Sequence, residues 1–331
     1  MSLGTSFVVS LPRPWLRENS LGKGDFVFLR NKDDGSLEIQ PNQSTRKKNL
    51  SIHLNIKAGE NGDSIVRRVI GSYLNGYDKI KLTSEEAFTD TQQNAIREIV
   101  SPLYMLILES DSRSMTLQTL VDETRNSFLS VVERMHLITY SMLRDVKSSM
   151  NEWDEGLPKS ILSLENEVDQ LMFYLLRLIR LAVSNPSIAK QLSIIPVECL
   201  EYQMLVDRME RVADHTVRIA ESIISIHENG FKISENVMKL LLHATKIGLN
   251  EYDEAFKEFT QNKISSANKI IHHEKEIKEL FSKTISNLFN EHENHVSLYH
   301  LITIWESIIK ITHYSSDIAQ LAIDKTSRIK Q

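Results

Sequence analysis

Two hydrophobic periods divide the chain. Over roughly the first 120 residues, apolar positions come in short alternating runs. After residue 122 they recur every three or four positions. Residues 6–11 (SFVVSL) read as a strand, stopped by Pro12, Arg13 and Pro14. Residues 15–19 read as a short helix. Residues 25–30 (DFVFLR) and 36–40 (SLEIQ) read as two strands joined by a hairpin turn at Asp33, Asp34 and Gly35, with Pro41 ending the second. Residues 50–57 alternate as a strand. A helix opens at Asp63, puts Ile65, Val66, Val69, Ile70 and Tyr73 on one face, and ends near Gly76. Residues 80–82 form a short strand, Thr83-Ser84-Glu85-Glu86 starts a helix running to Val100, and residues 103–108 and 114–120 pair as strands. This β-α-β-α-β-β order predicts a small α/β module over 50–120. The 3.6-residue period then predicts six helices, at about 122–151, 157–184, 197–228, 232–259, 261–291 and 294–327. Breaks fall at Gly156-Leu157-Pro158, Asn185-Pro186, Ile195-Pro196 and Asn229-Gly230. Long helices joined by short turns predict antiparallel bundles, so the chain is mainly α.

Composition supports this division. Eight of the eleven glycines lie within residues 1–76, and no proline follows Pro196, which leaves 135 residues free of the strongest helix breaker. The net charge of −5 excludes a generic nucleic-acid binder for the whole molecule. Residues 1–48, however, hold eight basic and five acidic side chains, so a basic front precedes an acidic body. Residues 1–45 contain too few apolar positions for a stable core of their own, which predicts dimerisation or strand exchange. A single cysteine, Cys199, permits no internal disulfide and no cysteine-rich zinc site, in keeping with a reducing cytoplasm. The N-terminus shows no signal-peptide pattern. No apolar run approaches the ~20 residues that span a bilayer. The richest, 171–183, is broken by Arg177 and Arg180. A cytoplasmic protein without membrane insertion is expected.

The chemistry concentrates on two neighbouring helices. Glu165 and Asp169 stand four residues apart, as do Glu210 and Asp214, with Glu221 two turns further on. Each pair places two carboxylates on one helix face, one turn apart, where like charges repel by about a few tenths of a kcal/mol. Either a bound cation or nearby arginines (Arg211, Arg218, Arg177) would offset that cost. Carboxylate ligands suit Mg²⁺, Mn²⁺, Fe or Zn²⁺. The helices also repeat as two sets of three. Residues 165–171 (ENEVDQL) align with 274–280 (EKEIKEL), and 214–221 (DHTVRIAE) with 313–320 (HYSSDIAQ). The offsets are 109 and 99, so the second set has the shorter crossover before its last helix. In it Asp169 becomes Lys278, Glu210 becomes Ile309, Asp214 becomes His313 and Glu221 becomes Gln320; only Glu274 stands in for Glu165. At most the first repeat is therefore expected to bind metal. Asp214 and His215 are adjacent, not spaced i,i+3 as in the Glu-x-x-His of di-metal oxidases. There is no phosphate-binding loop, dinucleotide fingerprint, nucleophile elbow or kinase set. His272-His273 and the Glu291-His292-Glu293-Asn294-His295 cluster read as surface histidines, with adventitious metal as the alternative. Trp153 and Trp305 read as packing residues.

Two resemblances follow. Gly4-Thr5-Ser6-Phe7-Val8-Val9-Ser10-Leu11-Pro12, Trp15-Leu16, Leu21-Gly22-Lys23-Gly24-Asp25 and Leu37-Glu38-Ile39-Gln40-Pro41 resemble the SpoVT/AbrB swapped-hairpin domain over roughly residues 2–45. This chain begins almost at the glycine, where that family usually has a further basic half-strand. The resemblance implies a homodimer and DNA contacts through Arg13, Arg17, Arg30 and Lys32. Glu165, Asp169 and the run from Glu210 to Glu221, on tandem three-helix bundles, resemble the PhoU family of phosphate-uptake regulators over about 122–327. That resemblance implies metal at Glu165, Asp169, Glu210, Asp214 and Glu221. It also implies a non-enzymatic, negative regulatory role and a partner that is a phosphate transporter component or another regulator. The expected organisation is a swapped-hairpin domain at 1–45, the α/β module at 50–120 and PhoU-like bundles at 122–228 and 232–328, the archaeal arrangement of the two families. A pure interaction adaptor without DNA binding is the second reading, and a di-metal carboxylate enzyme the third.

Overall fold

The computed structural model describes residues 2–3, 6–31, 35–41, 50–121, 127–152, 156–291 and 295–328; at 2, 3, 6, 7, 30, 40 and 285–291 it describes the backbone alone. The chain divides into two compact units, 1–49 and 50–331.

In the first unit β1 (Ser2–Leu3) pairs antiparallel with β2 (Ser6–Phe7). The strand expected over 6–11 is thus only its first two residues, because a two-residue ladder gives 8–11 no partner. Helix α1 (Arg13–Glu18) carries Pro14 in its first turn, where a missing N–H costs nothing. The Asn19 side-chain amide donates to the Trp15 carbonyl at 2.8 Å and ends it. β3 (Val27–Asn31) and β4 (Leu37–Pro41) form the expected hairpin, with Arg30 opposite Glu38. Asp33 and Asp34 of its turn lie outside the described residues. No described side chain in this unit is buried. Phe26, Phe28, Leu29 and Leu37 are each more than half exposed.

The second unit begins with a four-stranded sheet in the order β5-β6-β8-β7. β5 (Ser51–Ile56) lies parallel to β6 (Lys79–Ser84), joined through helix α2 (Gly62–Leu74). β8 (Ser114–Thr119) and β7 (Met105–Ser110) add antiparallel beyond β6. Helix α3 (Asp90–Val100) connects β6 to β7 and packs on α2. Two boundaries differ from the sequence reading. The cap of α2 is Asn61, whose side chain accepts from the Asp63 N–H, rather than Asp63 itself. α3 starts at Asp90 because Thr89 and Gln92 close a reciprocal capping box there, while Thr83 and Ser84 stay in the β6 ladder. Ile65, Val69, Tyr73, Ile80, Leu82, Ile96 and Leu117 fill the module's core.

The helical region holds α4 (Phe128–Asn151), α5 (Gly156–Ser184), α6 (Pro186–Leu192), α7 (Pro196–Glu228), α8 (Glu235–Gln261), α9 (Ala267–Glu291) and α10 (His295–Thr326). α4, α5 and α7 pack as one three-helix group, and α8, α9 and α10 as another. The short helix α6 occupies the longer crossover that the two repeat offsets require. α7 packs on α10 and α4 on α8, so one continuous hydrophobic core serves both groups. Trp305 is fully buried in it. Trp153 lies outside the described residues. Phe173 and Leu176 of α5 also pack against the core of the α/β module. Gly76, at φ +88°, ends the α2 turn beside α5; a Cβ there would meet Leu181 Cδ2 at 2.7 Å, so only glycine fits.

Candidate functional site

α5 and α7 bring four of the five expected acids together. Val168, Leu171, Met209, Val212 and Ala213 bury the seam between these helices. Glu165 and Asp169 on α5, and Glu210 and Asp214 on α7, sit half-buried on its shoulder. Glu221 is exposed at the edge.

The four inner carboxyls hold their protons more tightly than free ones do. Burial is the largest cause for each, and repulsion from neighbouring acids adds to it for Glu165, Asp169 and Glu210. Glu165 is raised by burial, then by Asp169, Asp214 and Glu221. Asp169 is raised by burial and by Asp214. Glu210 is pushed up to about 7 by burial, Asp214 and Asp169. Asp214 is raised by burial, although Arg211, Arg218 and a hydrogen bond from Glu210 pull the other way. When Glu210 carries its proton, it is the donor of this bond to Asp214.

The arginines named as possible neutralisers are engaged elsewhere or act at a distance. Arg211 Nε bonds Asp207 at 3.1 Å. Arg218 is exposed and reaches Asp214 only through space. Arg177 is a clear correction. It lies about a third of a turn around α5 from the acids and points at the α/β module. There it donates to the carbonyls of Tyr73 (2.5 Å), Tyr77 (3.0 Å) and Gly76 (3.3 Å), and to Asp78 at 2.7 Å. Both Arg177 and Asp78 are buried.

The second repeat answers the same charge with its own bases. Glu274 contacts Lys278 Nζ at 2.5 Å and His313 Nδ1 at 3.3 Å. Burial would raise the Glu274 carboxyl, but these two partners outweigh it and hold the group below its ordinary value. The two residues that replace Asp169 and Asp214 are therefore the ones that satisfy Glu274.

By charge and hardness, the donor set of the first repeat fits a divalent cation. Its side chains are not gathered into a coordination shell: among the described residues, no three His, Cys, Asp or Glu groups are placed to hold one ion.

The other expected contacts fare unevenly. Arg13 and Arg17 lie one turn apart on α1, both exposed. The Arg30 side chain and Lys32 lie outside the described residues, as do His292, Glu293 and Asn294. His272 is exposed and bonds the Asn268 carbonyl at 2.8 Å. His273 instead faces Glu251 of α8, 2.5 Å from its Oε1. The sequence reading missed Glu251. It is buried, its Oε2 has no hydrogen-bond partner among the described residues, and burial, Glu276, Glu254 and Glu274 push it up to about 8 against the pull of Lys269. Its position on the apolar face of α8, between Gly248 and Ala255, was the available signal.

Comparison with known proteins places these helices. The model of the PhoU domain matches residues 132–223, the segment that holds all five acids. Among solved structures, PhoU from Pseudomonas aeruginosa superposes with a TM-score of 0.52 at 16% identity, over 59% of this chain and 93% of that one. The phosphate transport system regulatory protein PhoU from Streptococcus pneumoniae gives a TM-score of 0.50 at 16% identity, over 62% of this chain and 96% of that one. No curated protein matches in sequence. Residues 132–223 thus match the PhoU domain in sequence, and the chain shares the fold of these two PhoU structures over about three fifths of its length.

Proposed function

We propose that this chain is a non-enzymatic, cytoplasmic regulator that responds to phosphate status and lowers phosphate uptake or the transcription that supports it. The PhoU-like helices would engage a transporter component or another regulator. One observation carries the reading: among the described residues, Glu165, Asp169, Glu210 and Asp214 of the first repeat enter no ion pair, whereas the second repeat ties Glu274 to Lys278 and His313. The same scaffold folds both ways, so the repulsion in the first repeat is not a requirement of folding. A ligand or partner of positive charge would relieve it.

In this reading Glu165, Asp169, Glu210 and Asp214, with Glu221 at the edge, hold a divalent cation such as Mg²⁺, Mn²⁺, Fe²⁺ or Zn²⁺. A bound cation would neutralise the cluster and fix α5 against α7. Calorimetric titration with Mn²⁺ and Zn²⁺ is expected to show one saturable site. Glu210→Gln with Asp214→Asn should weaken it at least tenfold. Lys278→Ala should leave it unchanged. In cells lacking the gene, the wild type should restore low phosphate uptake and the Glu210/Asp214 variant should not. Full restoration by that variant would remove the acids from the regulatory role.

The N-terminal unit would form a homodimer and hold DNA. The exposed apolar hairpin (Phe28, Leu29, Leu37) supports the first, and the exposed Arg13 and Arg17 the second. Log affinity for promoter DNA should fall with log salt by about 0.9 per phosphate contacted. Arg13→Ala and Arg17→Ala should each reduce that slope by about 1. A slope near zero would favour the adaptor reading, in which this unit only dimerises.

A further inference from the structure

A second polar feature lies well away from the acids in sequence. A groove of about 610 Å³ opens between the C-terminal half of α4 and the N-terminal half of α8. Arg144 and Lys147 line one wall and His243 and Lys246 the other. Each pair is spaced three residues apart, which puts both side chains on one helix face. Leu157 and Leu242 supply apolar lining; Ser148 and Asn151 add polar groups. Among the described residues, Glu152 is the one acid in the lining. Arg144 makes a contact of 3.6 Å to Asp145. Lys147, His243 and Lys246 enter no ion pair among the described residues, although the chain as a whole carries a charge of −5.

Like charges on facing helices repel, so this arrangement favours an anion between them. Packed helix axes lie roughly 8–10 Å apart. Cations on both walls suit a ligand with charge at more than one centre better than a single small anion. The volume falls within the range of small-molecule sites, roughly 300–1,000 Å³. We propose that this groove binds a multivalent phosphate anion of two or more linked phosphoryl groups, either free or as the tail of a nucleotide. Lys147 and Lys246 would clamp the phosphates from opposite walls, with Arg144, whose Nε faces Asp145 and whose Nη2 donates to Ser141 Oγ at 3.2 Å, adding its remaining N–H groups. The proposal rests on the groove alone and not on the metal or DNA reading.

The full-length protein, in EDTA so that no metal can recruit phosphate to the acids, is titrated calorimetrically with tripolyphosphate and with ATP. Orthophosphate and sulfate serve as single-centre controls. One saturable site per chain is expected for tripolyphosphate, at least tenfold tighter than for orthophosphate or sulfate. Lys147→Ala with Lys246→Ala, both outside the buried core, should weaken it at least tenfold with an unchanged circular dichroism spectrum. Glu210→Gln with Asp214→Asn should leave it intact. ATP binding tighter than tripolyphosphate would identify a nucleotide; equal affinity would identify the phosphate chain alone. The proposal is overturned by no saturable binding, by orthophosphate or sulfate binding equally well, or by affinity that survives the double lysine substitution. In those cases the wall cations would be answered by acids of the chain itself.

Discussion

An Arg177→Ala variant is expected to unfold about 3–5 kcal/mol more easily than the wild type, a drop that urea or thermal melts resolve readily. The cost has two parts. Asp78 would remain as a buried carboxylate without its guanidinium partner. The carbonyls of Tyr73, Gly76 and Tyr77, at the end of α2, would lose a shared donor. Asp78 also ties down the sheet: its carboxylate accepts from the Leu50 N–H at 3.2 Å, its N–H donates to the Leu50 carbonyl at 2.8 Å, and its carbonyl accepts from the Thr119 N–H at 2.9 Å. Asp78→Ala should therefore be comparably destabilising, and the double variant should lose less than the sum of the two. Hydrogen exchange at residues 73–78 should rise in all three. A loss under 1 kcal/mol in Arg177→Ala would show that the latch contributes little.

The second large effect is a pH dependence centred on Glu251. Its native carboxyl titrates near 8, while an unfolded glutamate titrates near 4.5. Between those values the folded chain holds a proton that the unfolded chain has released, so stability falls as pH rises and levels off above about 8. His136 acts in the opposite sense. Its ring stacks on Phe256 at 3.8 Å, and burial pushes it down to about 4 from 6.5 despite Asp253 at 3.2 Å. It therefore loses stability for the fold as pH drops from 6.5 towards 4. The two trends offset one another below 6.5. From 6.5 to 8 Glu251 stands alone of this pair and should remove about 2 kcal/mol, at roughly 1.4 kcal/mol per pH unit. Glu251→Gln keeps the neutral shape without the titration. Its stability relative to wild type should climb from pH 5 to pH 8 and then stay constant. A difference independent of pH would mean that Glu251 is charged in the native state, held by His273.

The division of the chain was legible because the apolar period changes from two to near four, and because proline and glycine mark the breaks. The repeat was legible because Glu165 and Glu274 sit in matching frames. What escaped depended on pairing in space. Arg177 looked like a neighbour of Asp169 on one helix, but its partners come from 73–78, about a hundred residues earlier. Thr83 and Ser84 carried a helix-start pattern, yet the β6 ladder to β5 and β8 claimed them. The basic groove needs Lys147 and Lys246 from helices whose contact no local pattern announces. Glu251 was hidden for a similar reason: in sequence it is one acid among several on α8, and only burial makes it unusual.

The core that runs unbroken from α4 to α10 has a mechanical corollary. Two bundles with separate cores could hinge, and a signal arriving at one would be absorbed in the joint. Here Leu205 and Met209 on one side and Trp305 and Ile308 on the other belong to the same packed interior. The copy that has given up its acids thus still serves as a brace. Any tilt of α5 against α7 must be shared with α10, and the faces of the two repeats move as one rigid lever.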